Sequence, residues 1–262
     1  MNKSAYAAAA MAAASFVLTS FNAVADDSDL RFSWSTGLEY SSGTYGGADD
    51  IEDLYIPLKG RVDFERFSFG LTVPYLSVRA PQGTTVTDPG GVPVPGTGEM
   101  ITESGLGDII AGVTMYDVLY SGDLGIALDL TGKIKFGTAD EAKGLGTGEQ
   151  DYTVRADLFK FFEQFTLLGS AGYKFRGDPA DVDLEDVILG SIGGVYLPNE
   201  IISAGLIYDY RESAIVDGDA ISELTAFVSR QIENGWAIQL YAFTGFSDSS
   251  PDWGAGILFS FG

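Results

Sequence analysis

The sequence predicts an all-β protein, a transmembrane antiparallel up-and-down β-barrel of about twelve strands. Three observations support this prediction: an alternating apolar C-terminal segment, a signal peptide at the N-terminus, and short and long links that take turns along the chain. A period of two indicates a β-strand, because successive side chains point to opposite faces. A succession of such segments with unequal links is typical of an outer-membrane barrel.

The C-terminal segment has an almost wholly apolar face. From Trp253 to Phe261, every second residue is aromatic, Ile or Ala, and most of the residues between them are Gly or Ser. Other segments alternate apolar with charged residues, so the apolar face is expected to meet lipid. Ile257, Phe259 and Phe261 are predicted to form the signal read by the barrel assembly machinery, since this terminus resembles that of other outer-membrane barrels.

Residues 1–25 are predicted to be a secretory signal peptide, which leaves residues 26–262 as the barrel. Lys3 is the one early charge, and an Ala-rich apolar run from Ala7 to Leu18 precedes a cleavage site at Ala23-Val24-Ala25. A membrane-spanning helix would need about 20 apolar residues, and this run is shorter. The expected location is the outer membrane of a Gram-negative cell, surrounded by its lipids.

Composition excludes several classes of function. Without the signal peptide the chain carries 14 Lys and Arg against 37 Asp and Glu, so nucleic acid is not an expected partner. The chain has no cysteine and no histidine, which removes the commonest general base and metal ligand. No Ser lies in a Gly-x-Ser-x-Gly motif. We therefore expect no enzyme activity, no cofactor and no metal.

Twelve alternating segments are predicted, with short and long links between them in turn. The segments are expected to begin near Phe32, Leu54, Phe67, Gly107, Leu124, Asp151, Phe165, Val187, Ile201, Ser222, Trp236 and Trp253. The short links consist of turn formers or charged residues, and the long links cover 41–52, 80–104, 137–150, 177–186, 212–220 and 247–252. In an outer-membrane barrel the turns are periplasmic and the loops face outward.

Charges and aromatic residues fit this topology. Between residues 126 and 136, Asp129, Lys133 and Lys135 alternate with apolar residues, as expected if a Lys or Arg on the lipid face costs roughly 2–4 kcal/mol at mid-membrane. Aromatic residues are expected to form two interfacial girdles. Those at turn ends are Phe64, Phe67, Phe165, Trp236 and Phe261, and those at loop ends are Tyr40, Tyr75, Tyr152, Tyr173 and Trp253.

The lumen is predicted to carry most of the basic residues. Five lie on three consecutive strands, and we call them the basic ladder: Lys133, Lys135, Arg155, Lys174 and Arg176. The ladder is expected to attract anionic or phenolate solutes, to join a salt-bridge network that fills a narrow barrel, or to do both, and the pairing usual for buried charges favours the network. The predicted lumen-lining residues are Lys59, Arg61, Asp108, Asp129, Lys133, Lys135, Arg155, Asp157, Lys174, Arg176 and Arg211.

The long links are strongly acidic. They contain 19 Asp and Glu, and Lys143 is their one basic residue. Solvated acidic loops are one interpretation, and binding of divalent cations, for example by Asp178 to Asp183, is another. Link 80–104 is rich in Gly, Pro and Thr, and it is long enough either to fold inward and narrow the pore or to remain a surface loop.

Four short segments resemble an outer-membrane family labelled meta-pathway of phenol degradation. These segments are SGLGD at 104–108, TGKIKFGT at 131–138, GLGTGEQDY at 144–152 and GY at 172–173. The family often has Pro after the Lys-bearing strand, where this chain has Phe136-Gly137. The resemblance extends from residue 30 to residue 262, and it implies a barrel that takes up aromatic compounds.

The sequence thus predicts a passive, narrow channel for small organic solutes, either aromatic or anionic. The alternative is a non-conducting structural or adhesion-type barrel whose lumen is filled by salt-bridged side chains. A barrel of about twelve strands lies between filled eight-stranded barrels and open porins, so strand number is compatible with both. The oligomeric state does not follow from the sequence.

Overall fold

The first and last strands pair with each other and close the barrel. In the computed structural model, which describes residues 30–90, 93–179 and 183–262, Trp34–Ser42 pairs antiparallel with Trp253–Phe261. The other wall strands pair antiparallel with the wall strands beside them in chain order, except that two successive strands share one wall position and both pair with the strand before them. The predicted twelve-stranded antiparallel barrel is confirmed. The predicted signal peptide lies outside the described residues.

The strands contribute to the wall in chain order, except for one small hairpin in a loop. They are β1 (Leu30–Gly43), β2 (Ile51–Phe64), β3 (Phe67–Pro81), β4 (Thr85–Val86), β5 (Pro93–Val94), β6 (Met100–Leu106), β7 (Ile110–Ser121), β8 (Ile126–Lys135), β9 (Asp151–Phe161), β10 (Phe165–Phe175), β11 (Val187–Tyr196), β12 (Ile202–Arg211), β13 (Ile221–Gln231), β14 (Trp236–Gly245) and β15 (Trp253–Phe261). The helical segments in the described residues are two single 3₁₀ turns, Glu141–Lys143 and Glu233–Gly235. None of the described helices is long and apolar enough to span a membrane.

Short turns and long loops alternate around the barrel, as the sequence predicts. Turns of two to five residues join the strands at one end, which we call the turn end. Loops of seven or more residues join them at the other, the loop end. Six of the predicted strand starts coincide with those of the structure, and five differ by one to three residues.

The predicted start of the fourth strand near Gly107 is wrong. This position of the wall begins at Met100 in β6 and continues in β7, and both strands pair with β3. Between them the chain leaves the ladder, and the Gly107 N–H donates to the Pro74 carbonyl at 3.0 Å. Proline carries no N–H to return that bond, so the strand is interrupted there. β6 has only seven residues and ends in Ser104, Gly105 and Leu106, so the alternation of apolar and polar residues in it is weak.

Aromatic side chains gather at both ends of the outer face. At the turn end the ring of Trp236 lies 5.5 Å from that of Trp34 and 5.2 Å from that of Phe261. At the loop end the rings of Tyr40 and Trp253 are 5.5 Å apart. Between these levels the exposed side chains are largely Leu, Ile, Val and Phe. This distribution matches an apolar band between two interfacial girdles.

Replacing both Phe259 and Phe261 by Asp is expected to abolish membrane-inserted protein. Their side chains are 39% and 37% exposed on the outer face of the closing strand β15, so the change places two carboxylates on the apolar surface and removes the predicted assembly signal. Heat-modifiable protein in the membrane fraction measures insertion. Phe246→Asp is the control, because Phe246 is 61% exposed but lies in a loop. Normal insertion of the double variant would contradict the prediction.

Candidate functional site

A chain of buried ion pairs lies near the loop end of the barrel. The Lys135 Nζ is 2.9 Å from Asp108 Oδ2 and 3.5 Å from Asp151 Oδ2. These three side chains are only 4%, 1% and 2% exposed. Lys135 and Asp151 face each other on β8 and β9, whereas Asp108 lies in the interruption between β6 and β7. The interruption therefore places a carboxylate at the end of β8.

Asp108 also holds the start of the loop between β8 and β9. Its Oδ1 accepts the N–H groups of Thr138 at 2.9 Å and of Ala139 at 3.0 Å. The Lys135 ammonium further donates to the Thr147 hydroxyl at 3.0 Å. Both ends of this 136–150 loop are thus tied to one buried lysine and its carboxylate, which makes the loop a fixed part of the barrel mouth.

Three of the segments that carry the family resemblance meet at this cluster. Asp108 comes from 104–108, Lys135 and Thr138 from 131–138, and Thr147 and Asp151 from 144–152. Residues that are up to 43 positions apart in the chain therefore act as one unit. These Gly-rich segments look like separate loops in the sequence, but in the structure they surround a single buried ion pair.

The loop between β3 and β6 folds into the barrel and carries Asp88 to the far wall. The Asp88 carboxylate accepts hydrogen bonds from Lys174 Nζ, from Arg176 Nη2 at 3.0 Å and from Arg211 Nη1 at 3.3 Å. Arg211 ends β12, which lies six wall positions from β3 in a barrel of twelve. The loop thus crosses the lumen. Of the two alternatives for link 80–104, the structure adopts the inward-folded one.

Contacts with the neighbouring loop hold this crossing segment. The Val86 N–H donates to the Gly144 carbonyl at 2.8 Å, and Val86 packs with Leu76 and Leu145 in a buried apolar cluster. Gly144 has φ +68°, and a Cβ there would lie 2.1 Å from the Thr84 carbonyl oxygen. Only glycine satisfies both conditions, so the two loops dock closely at this point.

Asp151 connects the Lys135–Asp108 ion pair to the basic residues that bind Asp88. Its Oδ2 lies 3.9 Å from Lys174 Nζ and 3.7 Å from Arg176 Nη1, in addition to the contact with Lys135. Together Asp88, Asp108 and Asp151 face the cations of Lys135, Lys174, Arg176 and Arg211. We call these seven residues the mouth network. It contains four cations and three carboxylates and so carries one net positive charge.

The charge of Asp88 depends on its basic partners. Burial by itself would raise the pKa of the Asp88 carboxyl, but the charges of Lys174, Arg176 and Arg211 outweigh burial and hold that pKa well below its usual range. The carboxyl is consequently ionised at neutral pH, and the loop is held by charge-assisted hydrogen bonds.

Three residues of the basic ladder occupy two rows of the sheet, and Lys135 lies in a further row, opposite Asp151. Lys133 and Lys174 both face Thr153, so these three residues form one row. Arg155 lies in the next row, between Thr131 and Gly172. Like charges are therefore diagonal neighbours and are not directly opposite each other, which lowers their repulsion.

Asp157 and Asp129 have different partners although they face each other across β8 and β9. Asp157 Oδ1 lies 2.6 Å from Arg155 Nη2. Asp129 Oδ1 accepts the backbone N–H of Asp117 at 2.9 Å, and Asp117 is the residue with φ +51° in the bulge of β7. Asp157 thus balances the charge of Arg155, and Asp129 accepts the Asp117 N–H that the bulge leaves without a partner strand.

The remaining predicted lumen residues lie on β2. Lys59 is in a row with Ser35 and Thr72 on the neighbouring strands. Arg61 lies toward the turn end, where its guanidinium binds the Asp63 carboxylate at 2.6 Å and donates to the Tyr116 hydroxyl. Arg61 therefore belongs to a separate ion pair outside the mouth network.

An apolar cluster on the inner face was not predicted. It occupies the middle and turn-end part of the lumen and contains Ala127, Phe159, Phe161, Leu168, Val195, Ile207, Phe227 and Tyr241. We call it the inner apolar cluster. The signal was present in the sequence: on β9 the inward series of Asp151, Arg155 and Asp157 continues in phase to Phe159 and Phe161. Sequence reasoning assigned the inner face by its charges and did not extend the series to those two aromatic residues.

The predicted calcium run has no described metal site. Residues 180–182, which include Asp181, lie outside the described ranges. Within those ranges no three of His, Cys, Asp and Glu are grouped so that they could hold a metal ion. Divalent-cation binding at the acidic loops stays a prediction.

Solved structures share this architecture at low sequence identity. The COG4313 outer membrane channel from Pseudomonas putida F1 superposes with a TM-score of 0.68 and 13% identity, covering 88% of this chain and 94% of that one. The KdgM porin, solved alone and in complex with disordered oligogalacturonate, gives a TM-score of 0.50 and 10% identity, covering 88% of this chain and 98% of that one.

The fold is that of outer-membrane β-barrels. Neither a protein-family model nor a curated protein sequence matches the chain. Membership of the meta-pathway of phenol degradation family therefore stays a prediction. The two proteins compared above are described as a channel and a porin.

Asp157→Asn is expected to lower the temperature at which the folded band disappears from a gel. The substitution removes the carboxylate charge 2.6 Å from Arg155, and breaking a buried pair costs about 3–5 kcal/mol. Replacing Asp157 and Arg155 together by neutral residues should restore part of the loss. Asp123→Asn, in an exposed turn, is the control. Unchanged heat resistance of Asp157→Asn would mean that water screens these charges.

Docking of Asp88 is expected to resist mild acid. Because the docked carboxyl has a lowered pKa, docking is favoured at pH values above the pKa of a free aspartate, about 4. Below that pH the stabilisation of docking by the Asp88 charge decreases, and it is lost once the pH falls through the lowered pKa of docked Asp88. Hydrogen-exchange protection of residues 84–90, corrected for intrinsic rates, should be constant from pH 8 to 5 and decrease below about pH 4. An Asp88-dependent loss of protection near pH 6 would contradict this.

Proposed function

We propose that this protein is a passive, narrow channel of the outer membrane for small organic solutes that combine an apolar body with an acidic group. The observation that supports this most strongly is the composition of the inner face. A network with excess positive charge lies at the loop end, and the inner apolar cluster lies between it and the turn end. A solute that enters from the loop end would meet these two surfaces in that order.

Each surface suits one part of such a solute. Basic residues in a narrow, low-dielectric passage raise the local concentration of anions. Apolar and aromatic side chains then provide a surface for a hydrocarbon or aromatic body. Tyr241 adds a polar atom to the apolar surface, because its ring belongs to the inner apolar cluster while its hydroxyl donates to Glu39 Oε2 at 2.6 Å.

Related barrels are consistent with this substrate class. The KdgM porin, which has a similar fold, was solved with oligogalacturonate, an oligomer of a sugar acid. Passage of carboxylates is therefore compatible with a barrel of this shape. The predicted signal peptide, the apolar outer surface and the two aromatic girdles support a location in the outer membrane, with lipids and the barrel assembly machinery as partners.

A closed structural barrel is the second candidate, and one observation favours it. The loop between β3 and β6 crosses the lumen and is held there by ion pairs and by a hydrogen bond to Gly144. A barrel in which this loop never moved would conduct little. Single-channel recording in a planar bilayer separates the two candidates: discrete conductance steps support the channel, and their absence from correctly folded protein would contradict it.

Replacing Lys133, Arg155 and Lys174 together by Gln is expected to shift the reversal potential toward cation selectivity under a salt gradient. The three side chains supply positive charge on the inner faces of β8, β9 and β10, so their removal weakens the attraction for anions. Arg230→Gln is the control, because Arg230 is exposed at the turn end of β13. An unchanged reversal potential with intact conductance would assign these residues to structure alone.

A further inference from the structure

We propose that Lys174, Arg176 and Arg211 form a carboxylate-binding site, and that Asp88 occupies this site as an internal substitute until a small organic acid displaces it. The inference deepens the proposed channel function and rests on it, since an acid reaches the site only if the barrel admits solutes. The proposed ligand of the loop-end part of the lumen is a molecule with a carboxylate attached to an apolar body.

The three cations are arranged around one carboxylate. Asp88 Oδ1 accepts from Lys174, and Oδ2 accepts from Arg176 at 3.0 Å and from Arg211 at 3.3 Å. Two of the three donors are guanidinium groups, whose planar N–H fork suits carboxylates. All three cations belong to the wall or to the residue directly after β10, whereas Asp88 belongs to a loop. The site therefore remains in the wall if the loop leaves.

Asp88 does not use all the donors of the site. The Arg176 side chain is 1% exposed, yet its Nε and Nη1 have no hydrogen-bond partner in the part of the chain that the structure describes. The nearby Asp151 Oδ2 lies 3.7 Å from Nη1, which is beyond hydrogen-bond distance. Buried N–H donors without acceptors are costly. A ligand whose carboxylate sits differently from that of the tethered Asp88 can satisfy them.

Charge balance makes the empty site attractive to anions. With Asp88 docked, the mouth network has four cations and three carboxylates, and with Asp88 removed it has four and two. Loss of the Asp88 charge leaves the network two positive charges in excess of its own carboxylates, and in a partly desolvated lumen this favours replacement of that charge by another anion. Because Asp88 is tethered, its effective concentration is high, so the native protein should bind free acids only weakly. Weak binding permits release, which a passive channel requires.

The surroundings of the site favour an acid with an apolar body. β11 lies between β10 and β12, and on its inner face Val187 is opposite Lys174 and Leu189 is opposite Arg211. Val187 is fully buried. The cations thus flank two aliphatic side chains, with Leu168 and Ile207 of the inner apolar cluster further toward the turn end. Benzoate and short fatty acids have this combination of groups, whereas inorganic anions lack the apolar part.

The test is equilibrium binding of benzoate to the folded barrel in detergent, measured by calorimetry. Asp88→Ala is expected to bind benzoate at least about tenfold more tightly than the native protein, because the tethered competitor is gone. Benzyl alcohol, which has the ring without the carboxylate, should show no such gain. Asp49→Ala is the matched control, since Asp49 is an exposed aspartate of another long loop, and it should bind as the native protein does.

A second change locates the gain. Adding Arg211→Gln to Asp88→Ala should remove most of the increase in affinity. The inference is overturned if Asp88→Ala binds benzoate no more tightly than native protein, if benzyl alcohol gains equally, or if Arg211→Gln leaves the gain intact. If the protein binds benzoate as expected but shows no conductance, the proposed channel function is contradicted and the carboxylate site is retained. If it conducts but Asp88→Ala gains no benzoate affinity, the carboxylate site is contradicted and the channel function is retained.

A readout in the otherwise native chain covers the case in which Asp88→Ala does not fold. The chain has no cysteine, and Thr87, directly before Asp88, is only 4% exposed. In T87C, millimolar benzoate should therefore speed modification by a thiol reagent, because displacement of Asp88 exposes this position. Benzyl alcohol should leave the rate unchanged. Equal rates with and without benzoate would overturn the inference.

Discussion

The buried ion pair between Lys135 and Asp108 is the interaction on which the loop end of this barrel depends. It exists because β6 and β7 are interrupted where Pro74 of β3 lacks an N–H, which places Asp108 at the end of β8. Asp108 then fixes the 136–150 loop through two backbone donors. That loop presents the Gly144 carbonyl to Val86, and Val86 sets the path of the segment that carries Asp88 into the lumen. Each step depends on the one before it.

Burying so many charges is acceptable only because the network is nearly balanced. Desolvation of an ion costs several kcal/mol, and partners at hydrogen-bond distance must offset that cost. The mouth network comes within one charge of neutrality, and its carboxylates come from a loop, an interruption and a strand. A loop carboxylate differs from the other two because it can leave without breaking the sheet. Structure and conduction are therefore compatible uses of the same cations, so a salt-bridged lumen and a solute-attracting lumen do not exclude each other.

The fold could be predicted because membrane barrels repeat one simple pattern. Outward residues must be apolar and inward ones can be polar, so the period of two in β1, β8, β9 and β15 is visible without any knowledge of contacts. The pattern failed at β6, where Gly105 lies within the strand, Gly107 begins the interruption and apolar alternation is lost. It also concealed Phe159 and Phe161, since an apolar residue in the lumen contradicts the polar-inside rule that worked elsewhere.

The sequence by itself determined the strand number, the alternation of turns and loops and the side of the wall on which Lys133, Arg155 and Lys174 lie, because each of these follows from local periodicity. Only the tertiary structure decided which charges meet. Asp88 and Arg211 are 123 residues apart, and Asp108 and Lys135 are joined across a broken strand. Such pairings depend on how strands are placed around the barrel and on how a Gly- and Pro-rich loop folds across it. No local pattern encodes a contact between opposite walls, since it arises only when the sheet closes.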